Sequence, residues 1–344
     1  MRLPQSTGPA NQGARRPPTR NACSAHVWQA DRRMHESRRQ RAHRRAEGHE
    51  GRRYRRRGRV GRWRPMSSID LLTHEGLDRR HGGVWDYISP SRLSLWAKCP
   101  LAFRLRYLDG VKSPTTPSLF IGKLCHAGLE VFYRHRQLGV TLTTEDVSAR
   151  LGTIWEEAID QEGPPFENTA EAAKAKQQTE ALVRAYLDQL PEDEPRPLAV
   201  EAAIEMPLVD PTTGEDMGIP LLGIVDLVLD AADGPIITDF KTASSSAEPA
   251  EVTHEVQLSS YAYLLRQASG REESGLEIRS LVKTKLPKIM VHRYASRTEA
   301  HFVRLFALFR EYLDALDSRR FTYRPSWSCS MCDFRETHCL RWRG

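Results

Sequence analysis

The chain has 344 residues and a formal net charge of +7, a length that suits one large domain or two ordinary ones. No apolar run approaches the 18 or so residues that span a membrane, so we expect no transmembrane helix. The absence of an apolar signal region predicts the cytoplasm, where the six cysteines are more often metal ligands or core residues than disulfides.

The positive charge lies in residues 1–65. They contain 19 arginines, no lysine and four acidic residues, so their net charge is +15 and the rest of the chain carries −8. They lack apolar periodicity, which predicts that they form no packed core. Two interpretations stay open: a disordered basic arm that binds nucleic acid, or an untranslated segment with the true start at Met66. Residues 66–87 would then lead into a folded domain over 88–344.

Helix signals dominate the first half of that domain. A first helix begins near Ser89 and is interrupted by Cys99-Pro100. Apolar residues then recur at helical spacing as far as Pro191, which predicts a helical part over about 118–190. The predicted helices cover 101–107, 118–139, 144–161 and 168–190.

After the turn-rich stretch 191–197 the apolar period becomes that of strands, which predicts a sheet core over about 198–295. Strands interrupted by helices indicate an α/β fold. The C-terminal segment 321–344 is short, aromatic and rich in cysteine. The predicted strands cover 198–209, 220–230, 235–243, 277–284 and 289–294, with helices at about 251–268 and 298–318.

An acidic hairpin carries the strongest chemical signal. Asp226 lies in an otherwise apolar strand, where an unpaired carboxylate is costly. Across a tight turn come Asp239 and, two residues later on the same face, Lys241. Two close carboxylates favour a bound Mg²⁺ or Mn²⁺, and a lysine beside the metal can orient an attacking water, as in phosphodiester hydrolysis. The alternative is a surface hairpin in which Lys241 pairs locally.

Two helices carry further polar residues. Gly122 lies one turn before His126 and leaves room for a close backbone approach. Gln257 and Tyr261 are four residues apart and share one face of the next helix, so they could face the same cleft. The alternatives are an ordinary core or surface histidine and a half-exposed amphipathic helix.

The order of these segments resembles a known family. The segments are "CP" (99–100), "GKLCHAGLE" (122–130), "GIVD" (223–226), "DFKTA" (239–243), "QLSSYAYLL" (257–265) and "CSMC" with a later cysteine. They resemble the PD-(D/E)XK nuclease superfamily over about 86–342. Within it they are most similar to the RecB-like branch that includes the CRISPR adaptation exonucleases and their phage relatives. The resemblance implies a restriction-endonuclease-like mixed sheet flanked by helices, with a helical insertion, that cuts DNA with Mg²⁺ or Mn²⁺.

The resemblance also implies roles for individual residues. A metal ion would be held by His126, Asp226, Asp239 and the carbonyl of Phe240. Lys241 matches the family's lysine and would position the attacking water. No metal-binding position departs from the family pattern, which argues against an inactive member.

Three further positions match less specific parts of the family pattern. Gln257 and Tyr261 match the motif that contacts the nucleic acid or the lysine. Glu201 matches an acidic residue that precedes the core strand, with Glu205 as its rival.

The C-terminal cysteines have the spacing of metal ligands. Cys329, Cys332 and Cys339 follow the pattern C-x2-C-x6-C, and thiolate sites usually have four ligands. Spacing alone leaves the fourth ligand open among Cys23, Cys99 and Cys125. Iron–sulfur members of the family use one cysteine upstream of the helix histidine and three at the C-terminus. The resemblance therefore implies Cys99 and a four-iron four-sulfur cluster, with Zn²⁺ as the alternative.

We therefore expect a metal-dependent DNA nuclease, an exonuclease on single-stranded or frayed ends. Segments 104–107, 133–137 and 282–288 would line a basic groove, with Tyr107 and Tyr133 stacking on bases. It would act in repair, recombination or phage and CRISPR processes, and a helicase or adaptation partner would be a separate chain. The alternatives are a non-catalytic DNA-end-binding scaffold and a zinc-bound nucleic-acid adaptor whose acidic residues and His126 do not converge.

Overall fold

The structure is a computed structural model that describes residues 83–246 and 251–343. The Arg-rich segment 1–65, the alternative start at Met66, Cys23 and most of the lead-in 66–87 lie outside the described residues.

The helices begin where the sequence provides capping groups. Ser89 accepts a hydrogen bond from the Arg92 N–H, and Thr116 caps the long third helix. Cys99 adopts an extended backbone, which separates the first two helices. None of the helices in the described part of the chain is long and apolar enough to cross a membrane. Those helices are α1 (Pro90–Lys98), α2 (Pro100–Tyr107), α3 (Pro117–Gln137), α4 (Thr144–Glu162), α5 (Thr169–Asp188), α6 (Glu255–Ser269) and α7 (Glu299–Asp317).

The strands form one five-stranded mixed sheet in the order β1-β2-β3-β4-β5. Neighbours are antiparallel except β3 and β4, which are parallel and joined through α6. The predicted α/β fold with a mixed sheet is confirmed. β2 begins before the predicted residue 220, because its pairing with β1 continues to Asp216. The strands are β1 (Pro197–Val209), β2 (Asp216–Ala231), β3 (Gly234–Ala243), β4 (Gly275–Val282) and β5 (Lys288–Ala295).

Helices cover both faces of the sheet. The helices α1, α6 and α7 bury apolar side chains against one face, and α3, α4 and α5 bury theirs against the other. Two glycines permit close approach. A Cβ on Gly223 would lie 2.6 Å from Leu264 of α6, and a Cβ on Gly122 of α3 would lie 3.0 Å from the Thr242 hydroxyl.

Both β1 and β2 change faces at one point in the sheet. Val200 and Leu227 pack with α3, whereas Ala202 and Val225 pack with α6, although residues two apart on a regular strand share a face. The residues between them are Glu201, with φ of 44°, and Asp226. At this irregularity the side chains of Glu201 and Asp226 depart from the regular alternation between the two faces of the sheet.

Candidate active site

The strands β2 and β3 separate at Asp226 and Asp239. Their pairing ends at Leu227 and Thr238, so the two aspartates are the next residues beyond the last pair. The Phe240 N–H donates a hydrogen bond of 2.8 Å to Asp226 Oδ2 instead of continuing the ladder. We call this point the strand fork; Asp239 remains paired with Ile278 of β4 there, while the β2–β3 pairing has ended.

Three side chains converge at the strand fork. His126 Nδ1 of α3 lies 3.5 Å from Asp226 Oδ2 and 3.8 Å from Glu201 Oε1. One ligand atom from each of His126, Glu201 and Asp226 lies within 4.8 Å of the others. Glu205, the rival of Glu201, is exposed and lies outside this group. The positive φ of Glu201 explains why its carboxylate, on a strand, turns toward Asp226.

The donor set suits a divalent cation. Oxygen ligands about 2.1 Å from Mg²⁺ in an octahedron are separated by roughly 3–4 Å, so a small contraction of the group is sufficient. Carboxylates are ligands for both Mg²⁺ and Mn²⁺, whereas imidazole is more typical of transition metals. One imidazole with two carboxylates therefore suits a divalent cation without selecting one of these metals.

Asp239 makes two other contacts. Its Oδ1 accepts a hydrogen bond of 2.8 Å from Gln257 Nε2, and its Oδ2 lies 2.5 Å from Lys241 Nζ. Gln257 also donates to the Tyr261 hydroxyl at 2.9 Å. The Asp239 side chain is buried, whereas about a third of Lys241 is exposed. The structure therefore brings the predicted residues of β3 and α6 together beside the three-residue group.

The burial of these carboxylates has electrostatic consequences. Burial, and then the nearby charge of Asp239, raise the pKa of Asp226 to about 7. Burial lowers the pKa of His126, but the carboxylates of Glu201 and Asp226 outweigh it and leave that pKa raised. Burial, and then the two aspartates, raise the pKa of Tyr261 well above its usual range. A cation at the group would oppose the repulsion between the carboxylates.

Residues 87–337 match the sequence profile of the PD-(D/E)XK nuclease superfamily. The chain belongs to this superfamily. Two solved structures are similar at low identity. A protein from Eubacterium rectale titled "Putative exonuclease" is 13% identical, with a TM-score of 0.46, over 75% of this chain and 89% of that one. A protein named SSO0001 is 15% identical, with a TM-score of 0.31, over 74% of this chain and 97% of that one. A comparison with curated proteins gives no match.

Phe240 lies between Asp239 and Lys241 in the chain, and its ring is part of the hydrophobic core. The Phe240 ring is buried in the core beside α3, stacked on Tyr133 at 6.0 Å and edge-on to Tyr186 at 5.6 Å. Tyr133 is fully buried, so the expectation that it stacks on bases is wrong. Tyr107 is half-buried against Phe103.

A buried polar network behind Phe240 is absent from the sequence-based predictions. Arg279 of β4 bonds to the carboxylates of Glu194 and Glu277 and donates to the hydroxyls of Tyr133 and Tyr186. A signal was present, because Arg279 interrupts an apolar strand just as Asp226 does. Its partner Glu194 lies in the turn-rich stretch before β1, and no local spacing connects the two.

His254 is a second residue that the sequence reasoning missed. It precedes α6 and lies three residues before Gln257, so the two share one side of that helix. Burial, and then the charge of Lys241, lower the pKa of His254, which places a neutral imidazole near this lysine. The i, i+3 spacing to Gln257 was the available signal.

The cysteines divide into two groups. Cys99 joins the three C-terminal cysteines in lining one cavity of about 210 Å³, closed on one side by Phe334. Burial, and then the charges of the other three thiols, raise the pKa of Cys339. Cys125 lies apart, on α3, and is buried in the core. The C-terminal cysteines are Cys329, Cys332 and Cys339.

Proposed function

We propose that this chain is a metal-dependent DNA exonuclease that hydrolyses phosphodiester bonds at single-stranded or frayed ends. The observation that carries the proposal is the convergence of His126, Glu201 and Asp226 at the strand fork, beside Asp239 and Lys241. Membership of the nuclease superfamily supports the chemistry, and the resemblance to RecB-like exonucleases supports the choice of DNA ends.

A divalent cation would be held by His126, Glu201 and Asp226, with Asp239 and the carbonyl of Phe240 completing its ligands. When bound, the cation would neutralise charge on the phosphate and lower the pKa of the attacking water. The Phe240 N–H holds Asp226 Oδ2 in place at 2.8 Å. Gln257 holds Asp239 Oδ1 in the same way.

Lys241 would have a different role with substrate present. Its ammonium lies 2.5 Å from Asp239 and remains partly open to solvent, so it can turn toward a phosphate without crossing the core. From there it would donate a hydrogen bond to the attacking water or to a phosphate oxygen and stabilise the developing negative charge.

A test of this function compares Lys241→Ala with Lys176→Ala. Lys176 lies on α5 and pairs with Glu156, so its replacement changes the net charge equally but away from the strand fork. On end-labelled linear single-stranded DNA with Mn²⁺, Lys241→Ala should lose at least about 100-fold in rate, and Lys176→Ala should match the wild type. Equal rates for the wild type and Lys241→Ala would leave a DNA-binding scaffold as the better description. Degradation of circular single-stranded DNA would contradict the exonuclease.

A four-iron four-sulfur cluster held by Cys99, Cys329, Cys332 and Cys339 is the second part of the proposal. All four line one cavity. Four thiolates suit either a cluster or Zn²⁺. The resemblance to iron–sulfur members of the family supports the cluster over Zn²⁺.

The biological process is proposed from the resemblance alone. The family relatives point to repair, recombination or the phage and CRISPR processes. In each of these a separate helicase or adaptation partner would supply unwound DNA.

A further inference from the structure

The loop between β4 and β5 lies at the same edge of the sheet as Lys241. Because β3 and β4 are parallel, their C-terminal ends lie side by side, with Ala243 opposite Val282. The Lys283 N–H extends this contact by donating to the Ala243 carbonyl at 2.7 Å. Only Thr242 separates Ala243 from Lys241. Residues 283–288, which we call the lysine hairpin, therefore project beside the candidate active site.

The tip of the lysine hairpin is an exposed apolar side chain on an ordered turn. Leu286 is 78% exposed. The Thr284 hydroxyl donates to the Leu286 carbonyl at 2.6 Å, and Pro287 restricts the backbone on the other side. A single exposed leucine is ordinary on a protein surface. Leu286 differs from such a residue because the Thr284 hydrogen bond orders its turn and because the turn lies beside the candidate active site.

The flanks of the lysine hairpin suit a polyanion. It carries Lys283, Lys285 and Lys288, whereas the chain beyond residue 65 has a net charge of −8. Within the described ranges, none of these three lysines forms an ion pair with an acidic side chain. Lys283 Nζ donates to the Ser118 hydroxyl at 2.5 Å, which fixes the hairpin to the start of α3. Lys285 and Lys288, which form no ion pair among the described residues, are available to phosphates.

We propose that the lysine hairpin is a wedge for duplex DNA ends. Leu286 would insert at the terminal base step, while Lys285 and Lys288 hold the phosphates and one unpaired strand continues toward Lys241. Apolar side chains that enter base steps and unstack them are an established way for proteins to deform duplexes. This inference rests on the proposed nuclease function, and it adds how a paired end would become a single strand without a helicase in the same chain.

The test compares Leu286→Ser with Leu138→Ser. Leu138 is also 78% exposed, but it follows the last residue of α3, at the opposite end of that helix from Ser118. On single-stranded DNA both variants should match the wild type. On a blunt duplex Leu286→Ser should lose about tenfold in rate, and a duplex with a pre-frayed end should restore it. Equal losses on all three substrates, or no loss on the duplex, would overturn the wedge. A wild type that degrades single-stranded DNA but starts on neither kind of duplex end would do the same.

A binding measurement separates the wedge from the nuclease. A duplex with 2-aminopurine in its terminal pair becomes brighter when that base unstacks, and the Lys241→Ala background keeps the DNA intact. Lys241→Ala should brighten the probe, Lys241→Ala with Leu286→Ser should not, and Lys241→Ala with Leu138→Ser should match the first. Absence of brightening by Lys241→Ala contradicts the wedge. Brightening by Lys241→Ala, combined with a wild type that shows no nuclease activity on any of these substrates, would contradict the proposed function and leave the wedge in place.

Discussion

Glu201 has a backbone conformation that is unusual for its residue type. Its φ of 44° is in the left-handed region, which costs a non-glycine residue about 1 kcal/mol or more. Strain of this kind persists where the surrounding structure requires it, and here it turns a carboxylate toward His126 and Asp226.

Replacing Glu201 should therefore impair catalysis more than replacing Glu205, four residues later on the same strand. We expect Glu201→Gln to lower the Mn²⁺-dependent rate by about 100-fold, because one anionic ligand is lost. Glu205→Gln removes the same charge from an exposed position and should remain within about twofold of the wild type. Equal effects of the two substitutions in rate measurements across a Mn²⁺ titration would contradict the assignment of Glu201.

Asp226 gives the metal-free protein a pH dependence. Its folded-state pKa is about 7, above the value of about 3.9 in an unfolded chain, so the folded state binds the extra proton between these values. The contribution of this residue to stability is therefore present at low pH and is lost as the pH rises toward 7.

Asp226→Asn should remove that dependence while keeping an acceptor for the Phe240 N–H. The free energy of unfolding of the variant, relative to the wild type, should increase by at most about 1.4 kcal/mol per pH unit between pH 5 and 7 and then level off. Urea unfolding with chelator at several pH values measures it. A difference that is constant with pH would contradict the raised pKa.

At the level of secondary-structure elements, Gly223 determines how closely α6 packs on β2. A Cβ there would lie 2.6 Å from Leu264, so Gly223→Ala should cost about 1–3 kcal/mol of stability. Gly152, in the middle of α4, has open space where a Cβ would lie, with no neighbouring atom within 4 Å of that position. Gly152→Ala should therefore stabilise by about 0.5–1 kcal/mol. Thermal unfolding of both variants checks the opposite signs, and equal shifts would contradict them.

The buried network links β4 to the segment before β1. Arg279→Met would remove the buried guanidinium that pairs with Glu194 and Glu277. The free energy of unfolding should therefore fall by about 3–5 kcal/mol. Arg293 contacts the same Glu277 from the surface, with its side chain 76% exposed, and Arg293→Met should cost less than about 1 kcal/mol. Urea unfolding of the two variants distinguishes them, and similar losses would show that burial of the pair is unimportant.

Elements were easier to predict from this sequence than contacts between them. Apolar periodicity is local, so it indicated each helix and strand with shifts of a few residues at their ends. Asp226, Asp239 and Lys241 could be proposed from the sequence because charge in an apolar strand is locally visible, and the structure brings them close together. The φ of Glu201 and the pairing of Arg279 with Glu194, 85 residues away, depend on tertiary packing and have no such local signature.

At the level of the whole molecule, the cavity places Cys99, the residue before α2, together with three cysteines of the C-terminal segment. Cys99→Ala should abolish the brown absorbance near about 400 nm expected of an iron–sulfur cluster and lower the thermal stability. Cys125→Ala, at the buried cysteine of α3, should keep the absorbance. Equal spectra for the two variants, measured on anaerobically purified protein with iron analysis, would contradict the cluster.

The strand fork has a consequence for the newly made chain. His126 comes from the helical layer on one face of the sheet, and Gln257 comes from the layer on the other. Neither layer alone contains a complete site, and the gap between β2 and β3 exists only once the sheet has formed. The proposed active site is therefore assembled only in the folded sheet, so a partly folded chain would lack the activity that we propose for it.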